Sequence, residues 1–541
     1  MQKNSKPLII SAPALALIAT LLTAFSGRAA EPARSQRPQL VLNIVIDGLR
    51  SDYLELLSEC FGSDGFNKLI EGGVVIDNVS YGPGLDMAGA VAVLNTGAEP
   101  AVNGIAGSMT YNTARHLALP TLTDPGKIGN YTDETLSPAA IRVSTLSDEL
   151  RIDGGGAAYS HAIAPNAAEA IIMAGHAGNS AFWINDATGN WATTTHYREV
   201  PSPVTSRNYR SPLSYRIDTI NWTPSLSLSD YPGLPAHKRY YPFSHTFTGT
   251  DPDKYRRFKT SASVNREVTD LAIDYIASLN LGKRDAMDML SVGYTLAPYV
   301  GATDTDARLE TMDAYVKLDR ELARLLQSSE SAGATVVILA GTPSKPSGEA
   351  DDPKWHLSNG EFSTRKAVSL LNMYLIARYG NGEWVTDYYD GAFYLNNEII
   401  ERKNLDAEDL RSDAAKFLMK MSGIANAYTI DDILEGRTDD ALRRNTIVAT
   451  APDVYIDVIP GWTLIDDYAH PEAPKHTTIR ASSATAPAII YAPAGIVPQR
   501  IGGEVDARRI APTVSRILRI RSPNGASQPP LPIVFNSKIS K

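Results

Sequence analysis

Residues 39–46, Gln-Leu-Val-Leu-Asn-Ile-Val-Ile, form a nearly unbroken aliphatic and β-branched run that stops at Asp47-Gly48, with Ser51 and Asp52 just beyond. A strand that is apolar on both of its alternating faces is covered on both sides, as happens inside a parallel sheet. Ser and Asp directly after it are helix-starting residues. Shorter runs of the same kind recur at 288–292, 335–340 and 488–491. Between them Val264, Val268, Leu271 and Tyr275 share one helical face, as do Leu309, Met312, Val316 and Leu322. Strands alternating with helices predict an α/β fold with a mostly parallel sheet sandwiched by helices.

Two stretches interrupt that rhythm. Residues 197–260 are rich in Tyr and Pro, which predicts a long ordered excursion over the surface. Residues 343–446 read as a second insertion, a small α/β cap. It holds a helix over 365–379, a hairpin turning at Asp390-Gly391 and a helix starting near Asp406.

The first thirty residues differ in kind from the rest. Lys3 and Lys6 precede an apolar stretch over 8–25, and Ser26, Gly27, Ala29 and Ala30 supply small residues for cleavage, so 1–30 reads as an export signal. A retained anchor is the alternative, but the run is short for a span. No later segment is apolar enough to cross a membrane. Cys60 is the only cysteine, which rules out an internal disulfide. A net charge of -9 with no Lys/Arg cluster argues against nucleic acid as a partner. These features predict a periplasmic or secreted product.

The segment from Arg37 through Asp47-Gly-Leu-Arg-Ser-Asp52 resembles the opening of the alkaline-phosphatase superfamily, in particular its type I phosphodiesterase/nucleotide pyrophosphatase-like branch and the secreted bacterial phosphatases related to it. Further stretches resemble that branch in order and spacing: Gly65 to Gly73, Thr96-Gly97 with Pro100 and Gly104-Ile105, Thr145 to Leu150, Ala174 to Trp191, and Leu318 to Leu322. The resemblance runs from about residue 37 to about 495. It implies a single alkaline-phosphatase-like domain over 37–541 that carries both insertions.

The resemblance also implies a chemistry: two divalent metals, usually zinc, held by Asp and His at the ends of the strands, activate a Thr or Ser nucleophile and polarise the phosphoryl group. Matched position by position, Asp47 stands where the first carboxylate ligand belongs. The nucleophile position falls on Met87, whose thioether cannot attack as an alkoxide does. The other ligand positions fall on Pro298, Ala302, Gly341, Thr342 and Thr485, and the phosphate-contacting positions on Ser108, Asn166 and Ala168. Zinc affinity comes from three or four ligands arriving together. The chain therefore reads as a degenerate member with no catalytic residue and no cofactor expected, Asp47 being a vestige of the metal site.

Other residues admit two readings each. Asp47 could also cap the following helix. Asp86, beside the nucleophile position, could be a carboxylate nucleophile or a solvated loop residue. Asp304 and Asp306 could be relocated metal ligands or caps of the helix leading into Leu309. His470 and His476 with Asp466 and Asp467 form a local cluster of ligand-type side chains whose spacing fits no standard zinc motif. His176 reads as a packed, hydrogen-bonded histidine, and the aromatic residues of 197–260 as either a groove or packing. The resulting expectation is a non-catalytic binding or interaction protein exported by a bacterium, with an unidentified ligand or protein partner. The alternative is a divergent but active phosphomonoesterase or phosphodiesterase.

Overall fold

A computed structural model describes residues 37–248, 251–302, 307–344, 356–468, 471–481 and 484–536. The expected export signal, Asp304, Asp306 and His470 lie outside the described residues. The first apolar run forms strand β1 (Leu40–Asp47), buried along its length except at its last residue. It lies inside a ten-stranded sheet. The other strands are β2 (Val74–Ser80), β3 (Gly129–Asn130), β4 (Ser160–Ala164), β5 (Ser180–Ile184), β6 (Trp191–Thr194), β7 (Asp288–Thr295), β8 (Thr335–Gly341), β9 (Ala486–Tyr491) and β10 (Gln499–Asp506).

Their spatial order is β10-β2-β9-β8-β1-β7-β4-β5-β6-β3. From β8 through β1, β7 and β4 to β5 every pairing is parallel. Strand β9 is antiparallel to both of its neighbours, β8 and β2. An apolar run reads the same in either direction, so its reversal left no mark on the sequence.

The helices that frame the site are α1 (Ser51–Leu56), α2 (Phe66–Gly72), α3 (Met87–Thr96), α4 (Leu146–Asp153), α5 (Ala167–Ala174), α6 (Ser263–Ser278) and α7 (Arg308–Glu330). Alternation along β1 divides them into two layers. Leu40, Leu42, Ile44 and Ile46 pack in one core with Val264, Val268 and Leu271 of α6 and Leu309 and Leu322 of α7. Val41 and Val45 pack in the other with Ala90 and Val91 of α3 and Ile171 and Ile172 of α5. Both faces of the sheet are thus covered, as a parallel sheet requires.

Contacts between layers fix the approach of the helices. Asp319 of α7 accepts hydrogen bonds from Gly62 N at 2.8 Å and Phe66 N at 2.8 Å, so it closes the amino end of α2, whose own preceding residue is Gly65. A Cβ at position 65 would collide with both the carboxylate and the carbonyl of Asp319. Gly65→Ala is therefore expected to lower stability by about 1–3 kcal/mol, because backbone cannot yield as a flexible side chain does. A urea midpoint equal to that of the parent would contradict this close packing.

The 197–260 excursion is less superficial than its composition predicts. It carries short helices and a two-stranded ribbon pairing Asn221–Trp222 with His245–Thr246. Trp222, Tyr231, Phe247 and Phe258 are buried and belong to the same core as Ile44 and Ile46. The aromatic side chains make the difference: a Tyr/Pro-rich segment can take turn geometry along its backbone while sinking its rings.

Beyond β8, helices α8 (Thr364–Tyr379) and α9 (Ala407–Leu418) pack on a four-stranded sheet of order 385–389, 392–395, 454–458, 424–429. Leu371, Leu375, Trp384, Phe393, Leu410 and Leu418 form its separate core. The hairpin turns at Asp390 (φ 44°) and Gly391 (φ 80°), two consecutive left-handed residues, as a two-residue turn matched to strand twist requires. The strands of this region continue past residue 446, through Val454–Val458, Thr463–Asp466 and Lys475–Thr478.

Candidate functional site

In a sheet of this kind ligands meet the carboxyl ends of the parallel strands. Three such ends converge around Asp47: it lies opposite Thr295 of β7, and Ile46 before it lies opposite Gly341 of β8. Gly48 turns the chain away at φ 77°, with its Cα hydrogens facing the backbone of Ala297, where a Cβ would come within 2.9 Å.

The Asp47 carboxylate is already engaged. Thr342 Oγ1 donates to Asp47 Oδ1 at 2.6 Å and accepts from Gly48 N at 3.2 Å. Tyr81 donates its hydroxyl to the Gly341 carbonyl at 2.5 Å. Burial raises the Asp47 pKa above the ordinary carboxyl range, the Thr342 bond opposes this, and the charge of Asp86 adds to it. The helix-capping reading of Asp47 does not hold: α1 begins after Arg50, with no side-chain cap, because the turn at Gly48 carries the chain past the Asp47 carboxylate.

Met87 is the first residue of α3 and packs, half-buried, against the core beneath that helix. Asp86 is its N-cap, accepting from Gly89 N at 3.2 Å on Oδ1 and from Ser108 N at 2.7 Å on Oδ2. It is exposed, and both of its oxygens have backbone partners. Pro298 and Ala302 flank Tyr299, whose buried ring packs on Trp222 at 5.2 Å and His245 at 4.7 Å. Thr485 is exposed, and its carbonyl accepts from Ser51 N at 3.0 Å. Asn166 precedes α5 without capping it through its side chain, and Ala168 lies half-buried in that helix's first turn.

One residue of the site escaped the sequence reading. Glu169 of α5 is buried, and neither of its carboxyl oxygens has a hydrogen-bond partner among the described residues. It presses on Gly293 of β7, where any Cβ would collide with its carboxyl group. Gly293 lies opposite Val45, two residues before Asp47 on the same strand face. Burial and then the neighbouring Asp47 push the Glu169 pKa well above its ordinary value, against a smaller pull from Lys259. The available signal was a single acid inside the apolar helix Ala-Ala-Glu-Ala-Ile-Ile-Met-Ala.

The remaining candidates have structural work. Asp467 accepts from Ser363 Oγ at 2.8 Å and Arg365 N at 2.9 Å, tying down the start of α8, and Thr364 Oγ1 reaches Asp466 at 3.4 Å. His476 is exposed on a strand opposite Ile465. His176 bonds Asp148 through Nδ1 at 3.1 Å and the Ile141 carbonyl through Nε2 at 3.0 Å, and the Asp148 bond raises its pKa.

A two-zinc centre can be tested against these donors. Thr342 and Thr485 offer hydroxyls, Pro298, Ala302 and Gly341 no side-chain donor at all, and Asp47 is bonded to Thr342. Among the described residues no group of three or more His, Cys, Asp or Glu is arranged to hold a metal ion. This donor set does not fit the centre.

Beside these strand ends a cleft of about 390 Å³ separates the loop entering α3 from the four-stranded sheet of the cap. Its walls include Asp86 and Gly107 on one side and Tyr389, Asp390 and Tyr455 on the other.

The fold and the strand-end site place the chain in a defined class. The sequence profile of type I phosphodiesterase / nucleotide pyrophosphatase matches residues 41–483, and the chain belongs to this family, within the alkaline-phosphatase superfamily. A protein named calcium-transporting ATPase from Myroides odoratus is 25% identical, with 94% of this chain and 97% of that protein aligned. Alkaline phosphatase PhoV of Synechococcus elongatus is also 25% identical, over 92% of each chain. The crystal structure of wild-type alkaline phosphatase PafA superposes with a TM-score of 0.78 at 22% identity, covering 93% of this chain and 99% of that one. This likeness establishes an alkaline-phosphatase-like fold.

Proposed function

We propose that this protein has left phosphoryl transfer behind and uses the family's scaffold as an exported binding protein. One observation carries the reading: of the positions where the family's chemistry needs a hydroxyl nucleophile and metal ligands, only Asp47 keeps a suitable group, the others being Met87, Pro298, Ala302, Gly341, Thr342 and Thr485. The Thr342 hydroxyl at 2.6 Å supports it, because it gives the lone carboxylate a protein partner in place of a cation. Without a metal pair or an alkoxide, the electrostatic stabilisation of a phosphoryl transition state has no source. Export is inferred from residues 1–30, and among the described residues no helix is long and apolar enough to cross a membrane.

The purified mature protein, assayed with p-nitrophenyl phosphate and a nucleotide diester in added zinc, is expected to show no chelator-sensitive turnover and less than stoichiometric zinc by elemental analysis. Zinc-dependent turnover abolished by chelator would overturn the proposal. It would favour the second reading, a divergent active phosphomonoesterase or phosphodiesterase, whose support is family membership and the names of the alkaline phosphatases it resembles. In that case Asp47→Ala with Asp86→Ala should abolish the activity.

A further inference from the structure

We propose that the cleft between the cap sheet and the loop entering α3 binds a small organic ammonium compound. The proposal rests on reading the protein as a binder, but it does not require the loss of catalysis.

The walls of the cleft present tyrosine rings. Tyr111 sits against Tyr394 with ring centroids 4.5 Å apart and against Tyr389 at 5.6 Å, and Tyr428 lies 6.4 Å from Tyr455. Tyr111 and Tyr394 are buried and back the half-buried ring of Tyr389, so that ring is held before any ligand arrives and little of its side-chain entropy remains to be lost. A ring face carries partial negative charge and attracts a cation within about 6 Å of its centroid.

The charge in the cleft has the same sign. Asp86, Asp390 and Asp457 line it, and no Lys, Arg or His does. Arg443 and Arg444, which neighbour the lining residues Leu442 and Asn445, are both paired with Asp440. Asp457 accepts from the Tyr428 hydroxyl at 2.6 Å, which keeps a carboxylate beside a ring. Asp390 stands exposed on the left-handed hairpin turn. Acidic groups at a concave, low-dielectric wall concentrate negative potential. A phosphate ester would be repelled, whereas an alkylated ammonium meets aromatic faces and opposite charge together. The volume of about 390 Å³ suits a small molecule.

The test is calorimetric titration of the full mature chain with choline, tetramethylammonium and 3,3-dimethylbutan-1-ol, the neutral isostere of choline. Both cations are expected to bind, and the isostere to bind at least about tenfold more weakly, the loss of roughly one favourable cation contact. Asp390→Asn and Asp457→Asn should each weaken choline several-fold, and Tyr389→Ala about tenfold or more, with circular dichroism and melting unchanged for Asp390→Asn, since Asn tolerates the left-handed turn. Should Tyr389→Ala fail to fold, Asp390→Asn and the isostere still decide. No binding of choline up to about 10 mM, equal binding of the isostere, or unchanged affinity in both Asp variants would overturn the proposal. Preference for a neutral sugar such as maltose over choline would do so too. Choline binding by a protein that also turns over phosphate esters with zinc would sink the non-catalytic reading and leave this one; absence of both activities would do the reverse.

Discussion

Asp313→Ala is expected to release the 197–260 excursion from the core and to cost about 3–5 kcal/mol, the loss typical of breaking a buried charged network by removing one member. Asp313 is buried on α7 and accepts three hydrogen bonds: from Trp222 Nε1 at 2.5 Å, Ser225 N at 2.6 Å and the Tyr231 hydroxyl at 2.8 Å. Alanine leaves Trp222 Nε1 and the Tyr231 hydroxyl buried without this acceptor, each worth about 1–3 kcal/mol of desolvation, while Ser225 N keeps the Tyr231 oxygen at 3.1 Å. Asp313→Asn keeps the shape but turns an amide N–H toward one donor, so its effect should be smaller and in the same direction. Denaturant unfolding followed by tryptophan fluorescence, with limited proteolysis mapped to 197–260, measures both. The same network reaches the site, because Trp222 packs on Tyr299 between Pro298 and Ala302. If Asp313→Ala matched the parent in both midpoint and cleavage pattern, the excursion would not be an integral part of the core.

The excursion illustrates where sequence reading stopped. Its Tyr and Pro residues reported an irregular backbone correctly, but composition does not say which way a ring points, and Trp222, Tyr231, Phe247 and Phe258 point inward. Periodicity served better in regular elements. β1 was legible because both of its faces are apolar, and α6 and α7 because one face is. The direction of β9 was illegible for the same reason that its existence was plain.

The site divides along similar lines. That Asp47 and Thr342 share one end of the sheet followed from two adjacent strands ending there. Their 2.6 Å hydrogen bond did not follow, since it depends on side-chain rotation. Asp86 read as a loop residue because its partner Ser108 N is distant in sequence and depends on the loop that Gly89 allows to press against α3. Glu169 was passed over because a lone acid in a helix is commonly solvated, and only the tertiary packing against Gly293 encloses it.

That enclosure makes stability depend on pH in a stated direction. The folded pKa of Glu169 lies well above the unfolded carboxyl value of about 4.3. Below that value both states hold the proton and the group costs nothing through ionisation. Above it the unfolded chain releases the proton while the folded chain keeps it, so stability falls by about 1.4 kcal/mol per pH unit until the raised folded value is reached. Asp47, also raised by burial, acts in the same sense over its own interval. Glu169→Met, close in volume and free of charge, should therefore gain on the parent increasingly from about pH 4 toward pH 8, and Asp47→Asn should change the slope in the same sense. Denaturant unfolding at four pH values reads this directly. A parent and a Met variant with parallel pH profiles would place a hydrogen-bond donor or a bound cation beside Glu169. Added zinc distinguishes those two cases, because a cation shared by Asp47 and Glu169 would stabilise the parent at pH 8 and leave the Met variant unchanged. The expected result is no zinc shift in either. Two crowded carboxyls then make the strand-end corner around Asp47 a source of instability, which the remainder of the fold offsets.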